Sequence, residues 1–413
     1  MKNTEANAQI HRARIVVPVC APPMEDGAVL VEGGLVRAVG KFRQLKRSLS
    51  KKVSLKDHGE SIIMPPLVNC HTHLGLSWLK GRIQKGLGFS SWLRKIVSLL
   101  HEEGEKMSEK ELLYWTEYGR ELSKACGTGL LAEVTNQISF LTNFLNFFYN
   151  YPFIHLFIEK LHPEKGPPEL RSRTSDSNLP ATRWSFSAHS VYTCSRDALR
   201  AIKKWCRKRG LPFSIHVSES LEELEFVRSA KGPIFSILEE RGRNVKEFFS
   251  CSKTPITLLE EEGILDENTI CVHCTFASKK DLETIANKES WICLCPLSNE
   301  YICGTVPRAD LIFSMTKRVC IGTDSLASND SLSIFSELRA INSRYPSIGP
   351  ERLIEAATLG GARALGLCQM IGSIEQGKKA NLLVIKETDC TPKNVCEFIC
   401  SEPIEERIKT VGS

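Results

Sequence analysis

Five separate apolar runs in this chain each end in a histidine or an aspartate. Ser61–Cys70 runs into His71-Thr72-His73, and Arg183–Ala188 into His189. Leu211–Ile215 runs into His216, with Glu219 three residues on; Asn268–Val272 runs into His273, and Arg318–Thr323 into Asp324. Side chains two apart on a strand share a face, so His71 and His73 can aim two imidazoles at one point. Neutral imidazole is the usual nitrogen ligand of Zn²⁺ or Fe²⁺. A bare His-x-His is more often a pair of surface histidines. Recurrence at successive strand ends reverses that weighting, because a barrel of parallel strands sets every carboxyl end around one mouth.

The spacing between the runs supports the same architecture. Eight strands are expected near 63–70, 129–134, 153–158, 183–188, 211–216, 268–273, 290–295 and 318–323. Helical patterns fall around 90–103, 108–126, 196–209, 220–229, 278–286 and 331–342. Alternating strand and helix implies a parallel sheet, and eight units close a ring. Residues 1–62 read instead as short strands, with a hairpin signal at Gly33-Gly34. A helix is expected over Pro350–Gly366, and Gly372–Ile385 returns to strand and turn. The predicted fold is therefore α/β: a (β/α)8 TIM barrel over 63–368 and a small β-sandwich built from 1–62 and 369–413. Segment 163–182, rich in Pro, Gly, Ser and Thr, is expected to be a loop.

The chain has 413 residues, ample for a barrel plus a smaller unit. A net charge of +6 with no long basic run argues against nucleic-acid binding. No apolar stretch of membrane-spanning length is present, and the polar N-terminus carries no signal-peptide pattern. A cytoplasmic protein is expected. The 16 cysteines are too sparse for a disulfide scaffold, and many sit inside apolar runs as small hydrophobes. Cys271-x-x-Cys274 lacks a correctly spaced partner pair for structural zinc.

Several segments together resemble the amidohydrolase superfamily, in its branch of aminopurine deaminases. They are Met64-Pro-Pro-Leu-Val-Asn-Cys-His-Thr-His-Leu74, Ala188-His-Ser-Val-Tyr-Thr193, Ile215-His-Val-Ser-Glu219, Val272-His-Cys274, Cys295-Pro-Leu-Ser-Asn299 and Ile321-Gly-Thr-Asp-Ser-Leu-Ala-Ser-Asn329. The resemblance implies deamination of a small-molecule nucleoside. Leu294–Ile302 and Gly322–Leu332 look closest to enzymes acting on 6-aminodeoxyfutalosine in menaquinone synthesis. Methylthioadenosine, S-adenosylhomocysteine or adenosine is the alternative substrate. Halide or cyclic-amide hydrolysis on the same site, and a non-catalytic purine-binding protein, are further alternatives. A homodimer is compatible with the resemblance. Asn381 and Lys80 depart from the residues usual in relatives, Asp and Arg.

Deamination adds water to a ring carbon and expels ammonia. The resemblance implies that His71, His73, His216 and Asp324 hold one divalent ion, Zn²⁺ in preference to Fe²⁺. Asp324 would also orient the attacking water. Glu219 would shuttle protons, as an acid–base carboxylate does, and His273 would polarise the reacting centre. His189, Glu219, Trp92 and Ser298 are expected to contact substrate. Glu222, Glu223 and Glu225 read as solvated helix charges. The fourth run ends in Ser187-Ala188-His189 and offers no lysine for a carbamate bridge, which favours one ion over two.

Overall fold

The computed structural model describes residues 8–48, 53–136, 151–161, 184–243, 253–386 and 389–411. The expected loop 163–182 lies outside them. The chain forms two compact units, one of residues 1–68, 123–130 and 333–413, the other of 69–122 and 131–332.

The first unit carries a seven-stranded sheet drawn from both ends of the chain. Its strands are β1 (Gln9–Val16), β2 (Met24–Glu32), β3 (Leu35–Lys41), β4 (Ser54–Asp57) and β5 (Ile62–Met64), with two more from the C-terminal end. β1 and β2, and β2 and β3, pair antiparallel. The β2–β3 turn is Gly33-Gly34, with φ of 61° and 71°. Two positive φ angles define the tight hairpin turn that the glycine pair announces. Neighbouring residues of β2 face opposite ways: Val29 joins a core with Ala13, Val36 and Leu382, while Ala28 packs with Ile10 and Phe42. Both faces are therefore covered.

Pro65-Pro66 divides the first expected run into two strands. Proline has no N–H to donate to a ladder, so β5 ends at Met64 and β6 (Leu67–Thr72) begins beyond it. Seven more strands follow where the apolar runs predict them: β7 (Thr128–Thr135), β8 (Phe153–Lys160), β9 (Trp184–Ala188), β10 (Phe213–Val217), β11 (Thr269–His273), β12 (Trp291–Leu294) and β13 (Val319–Ile321). They make two four-stranded sheets, β6-β7-β8-β9 and β10-β11-β12-β13. Pairs β8–β9, β10–β11, β11–β12 and β12–β13 are parallel. Parallel bridges also join Ser190 to His216 and Thr72 to Asp324. The fold is mixed α/β with parallel sheets. In the first unit, β14 (Leu382–Ile385) pairs antiparallel with β5 and with β15 (Ile408–Val411).

The six expected helices occur within a few residues of their predicted bounds, as at Phe89–Glu102 and Arg196–Arg207. Helices Pro233–Glu240, Pro255–Glu261, Pro296–Cys303 and Ala309–Met315 were not expected. Three of them open on proline at the first turn, where its missing N–H costs nothing. No disulfide joins the cysteines of the described residues.

Two buried polar groupings generate predictions. Lys203, on helix Arg196–Arg207, is 1% exposed and donates to Asp266 and to Thr269 Oγ1. Burial lowers the lysine pKa, although the Asp266 carboxylate opposes it. Asp266→Asn should therefore destabilise by about 3 kcal/mol, since it strands a buried ammonium, whereas Lys203→Met should be close to neutral. Urea denaturation of both variants checks this asymmetry.

In the first unit His11 is buried, and its Nδ1 lies 3.1 Å from His58 Nε2. Burial, then the His58 and Lys56 charges, lower its pKa from 6.5 to about 4. Below pH 6.5 the unfolded chain binds a proton that the folded one refuses. This contribution to stability is complete above 6.5 and lost as pH falls toward 4. Thermal melts between those limits should show a smaller decline for His11→Gln than for the wild type.

Candidate active site

The backbone brings the functional side chains together before any side-chain contact is considered. Asp324 N and Thr323 N both donate to His71 O, at 3.0 and 3.1 Å. His216 N donates to His189 O at 3.0 Å, and Val217 pairs with His273 across β10–β11. The strand ends are bent to do this. Ser218, His273 and Asp324 have φ of 52°, 74° and 58°, left-handed values that non-glycine residues seldom adopt. Such strain costs about 1–3 kcal/mol per residue and persists where the surroundings enforce it. Gly322 permits the close approach of β6 and β13, because a Cβ there would lie 2.8 Å from His71 Cβ. Asn69 secures the same junction: its Oδ1 accepts from Thr323 N and His71 N, and its Nδ2 donates to Thr323 Oγ1.

His71, His73 and His216 converge with candidate ligand atoms within 4.8 Å of one another. His216 Nε2 lies 3.0 Å from His71 Nε2 and 3.4 Å from His73 Nε2. Asp324 Oδ1 is 3.7 Å from Nε2 of both His71 and His73. Burial lowers all three imidazole pKa values, that of His216 to about 4, so the rings are neutral. His216 Nδ1–H donates to His189 O at 2.7 Å, and His73 bonds the backbone of Val134. Their Nε2 lone pairs therefore face one point. Nitrogens about 2.0–2.1 Å from a tetrahedral ion lie about 3.3–3.4 Å apart, close to the separations found. The donor set fits a divalent cation. Nitrogen and carboxylate donors do not by themselves separate zinc from iron.

Asp324 is buttressed from behind. Its Oδ2 accepts from Ser298 Oγ at 2.7 Å and Ser328 Oγ at 2.6 Å. Burial favours its neutral form, but electrostatic interaction with His73 and His273 and the two hydroxyl bonds outweigh this and lower its pKa. Ser298, expected at the substrate, is fully buried and belongs to this buttress rather than to the cavity wall.

Glu219 is 7% exposed, and its Oε1 lies 3.6 Å from His273 Nε2. Burial raises its pKa to about 7, with His216 opposing and Asp324 adding. Asn299 Nδ2 stands 3.1 Å from His273 Nδ1. An amide N–H₂ only donates, so His273 carries its proton on Nε2, facing Glu219. Glu223 is not the solvated charge that the sequence suggests. It is 1% exposed, and its Oε2 accepts from Glu219 N at 2.8 Å. Being third in helix Leu221–Ser229, it folds back over the helix start while Ser220 Oγ accepts from its own N–H. Glu222 is half-buried and Glu225 exposed.

These groups line one cavity of about 470 Å³. His189 and Trp92 border it; His189 Nδ1 contacts Thr193 Oγ1, and Trp92 Nε1 donates to Ala327 O. Trp78 and Phe89 are buried, so the aromatic cluster is both helix core and cavity wall. Two buried lining carboxylates escaped the sequence reading. Burial raises Glu133 well above the usual range, and Glu159 to about 8 with help from Asp324. Both lie near the ends of apolar strands, the same signal that exposed the histidines.

Neutral imidazoles and a carboxylate delivered from the ends of parallel strands to one buried cavity define a hydrolase-type centre. A model of the amidohydrolase family matches residues 171–407, more than half of the sequence, and the chain belongs to that family. It is a hydrolytic enzyme acting on a carbon–nitrogen bond. It is 25% identical over 371 residues to a 5-methylthioadenosine/S-adenosylhomocysteine deaminase of Pyrococcus furiosus, covering 86% of this chain and 81% of the relative. It is 26% identical over 363 residues to an aminodeoxyfutalosine deaminase of Deinococcus radiodurans, covering 82% and 81%. Among solved structures, an adenosine deaminase of Xanthomonas campestris with bound zinc superposes with a TM-score of 0.77 at 21% identity, over 98% of this chain and 91% of the other. No helix among the described residues is long and apolar enough to cross a membrane.

Removing the buttress should loosen the centre. In Ser298→Ala/Ser328→Ala, Asp324 Oδ2 becomes a buried acceptor without a donor, which costs about 1–3 kcal/mol. We expect a lower melting temperature and at least about tenfold weaker retention of a divalent ion, since partners of ligating groups typically contribute about 10–100-fold. Competition with a chelator measures the second effect.

Proposed function

We propose that this enzyme deaminates a 6-aminopurine nucleoside derivative, with 6-aminodeoxyfutalosine the favoured substrate and methylthioadenosine or S-adenosylhomocysteine next. The observation that carries the reading is the pairing of the three-histidine cluster and Asp324 with a buried Glu219 of pKa about 7 in the same cavity. A binding protein has no need of such a proton carrier. The names of the relatives support the substrate class.

In this reading His71, His73, His216 and Asp324 hold one divalent ion, zinc in preference to iron. Such an ion supplies Lewis acidity that makes a nucleophile of water near neutral pH. A second ion is not required: the His216 nitrogen nearest Glu159, Nδ1 at 3.9 Å, already donates to His189 O. Glu219 accepts a proton at Oε1, delivers it to the purine ring nitrogen and then serves the leaving amine. A carboxyl group titrating near neutrality is suited to both directions of transfer. His273 donates from Nε2 toward the oxygen being added to the ring carbon, held in that tautomer by Asn299. His189 and Trp92 border the space for base and ribose. The two parallel sheets, bridged at Ser190–His216 and Thr72–Asp324, form the closed (β/α)8 barrel, and the mainly antiparallel sheet is part of the accompanying β-sandwich.

Two measurements test this. Ammonia release across a nucleoside panel should appear with 6-aminopurine nucleosides and not with their 6-oxo counterparts. Glu219→Gln keeps size and hydrogen bonding but cannot carry the proton. It should retain its metal and bind substrate while kcat falls at least about a hundredfold. Near-normal kcat would assign the proton transfer to another group, and loss of metal would make Glu219 a ligand.

A further inference from the structure

We propose that the first unit carries a ligand site of its own, a cavity bordered by Lys56, Lys386 and Lys409 that binds a condensed phosphate. Its residues are separate from those of the active site, and it does not rest on the deaminase reading.

The cavity comes from a step in the sheet. β1 has two parallel neighbours along one edge: Gln9–Arg12 pair with Ser54–Asp57 of β4, and Ile15–Val16 pair with Ile62–Ile63 of β5. Residues 58–61 carry the chain from one to the other, with Gly59 at φ 62° and its N–H donating to Asp57 Oδ1. β14 continues the sheet beyond β5, whereas β4 pairs only with β1. Beside this step lies a cavity of about 360 Å³, bordered by Lys56, His58 and Glu60 from one side and by Val384, Lys386 and Lys409 from the other.

The strand register sends all three lysines out of one face. Residues paired across a sheet share a face, as do residues two apart on a strand. His11 pairs with Val29 on one side and with Lys56 on the other. Val384 pairs with Lys409, and Lys386 lies two residues beyond Val384. Val29 and Val384 belong to the same apolar core. Lys56, Lys386 and Lys409 therefore stand on the core-bearing face, at the border of that core, and all three are exposed.

The acids of this region are already engaged. Arg12 holds Asp57 at 3.0 Å, and Arg14 holds Glu60 at 2.9 Å. The three lysine side chains have no ion pair or hydrogen bond among the described residues. Two of their charges meet at one ring: burial lowers the His58 pKa, and Lys56 and Lys409 lower it further against Asp57. Like charges gathered without a counter-charge repel, and a bound anion removes that cost. Ammonium groups are point charges that suit phosphate oxygens, whereas a carboxylate is better matched by a guanidinium fork. Three of them suit a di- or triphosphate better than a singly charged anion. The volume falls within the range of about 300–1,000 Å³ usual for small-molecule sites. Free tripolyphosphate and a nucleoside triphosphate share the required chemistry.

Titration calorimetry of the metal-bound enzyme with tripolyphosphate, uridine triphosphate and orthophosphate tests the site. We expect saturable binding of tripolyphosphate, with orthophosphate at least about tenfold weaker and added salt eroding the affinity. Lys56→Gln/Lys386→Gln/Lys409→Gln should weaken tripolyphosphate at least about tenfold, as loss of charge-assisted hydrogen bonds does. Lys110→Gln/Lys280→Gln/Lys317→Gln removes the same charge elsewhere and should keep the wild-type affinity. Equal affinity for tripolyphosphate and uridine triphosphate assigns binding to the phosphates alone; a tighter nucleotide shows that the nucleoside is held as well. No heat from the wild type at millimolar tripolyphosphate overturns the proposal, and so does orthophosphate binding as tightly. Heat that survives in the first triple variant, as metal removal by a chelating phosphate would give, also overturns it. Equal losses in the two triple variants would reduce the effect to net charge and refute the site.

Discussion

The site depends on the backbone junction between the ends of β6 and β13. Asp324 N donates to His71 O, and the left-handed φ of Asp324 turns its side chain toward the imidazoles. Every other part of the centre builds on that meeting. Asn69 clamps it, Gly322 leaves room for it, and Ser298 and Ser328 hold the far oxygen of the carboxylate. Without it, three neutral imidazoles would face one another with no carboxylate among them. A cation resolves that arrangement, because lone pairs aimed at one point repel until a positive charge stands between them.

Burial then sets the pKa values of neighbouring carboxylates apart. Asp324 stays ionised because two hydroxyls and neighbouring imidazoles outweigh its desolvation. Glu219 has no such hydroxyl donors at its carboxylate among the described residues, and burial pushes it up to about 7. Glu223, pushed to about 8, bonds the Glu219 backbone and positions it. Environments that drive the pKa values of neighbouring acids apart are what divide acid–base work among them.

The cavity lining divides by origin. Its polar groups come largely from strand ends, and much of its apolar lining comes from helices Phe89–Glu102 and Pro233–Glu240. Strand ends are rigid and suit chemistry, whereas helices that border the cavity can change with little effect on the centre.

Local sequence was enough to place the eight apolar strands, the six main helices, the Gly33-Gly34 turn, and the strand-end positions of His71, His73, His216, His273 and Asp324. Hydrophobic runs, helical periodicity and turn chemistry are local properties, and strand-end placement follows from them. What only the tertiary structure decided is which side chains turn inward and what stands behind them. The burial of Glu223, the retreat of Ser298 behind Asp324, and the clamp at Asn69 all depend on contacts between distant segments. Periodicity shows which residues share a face, but burial and hydrogen-bond partners exist only once the chain has packed.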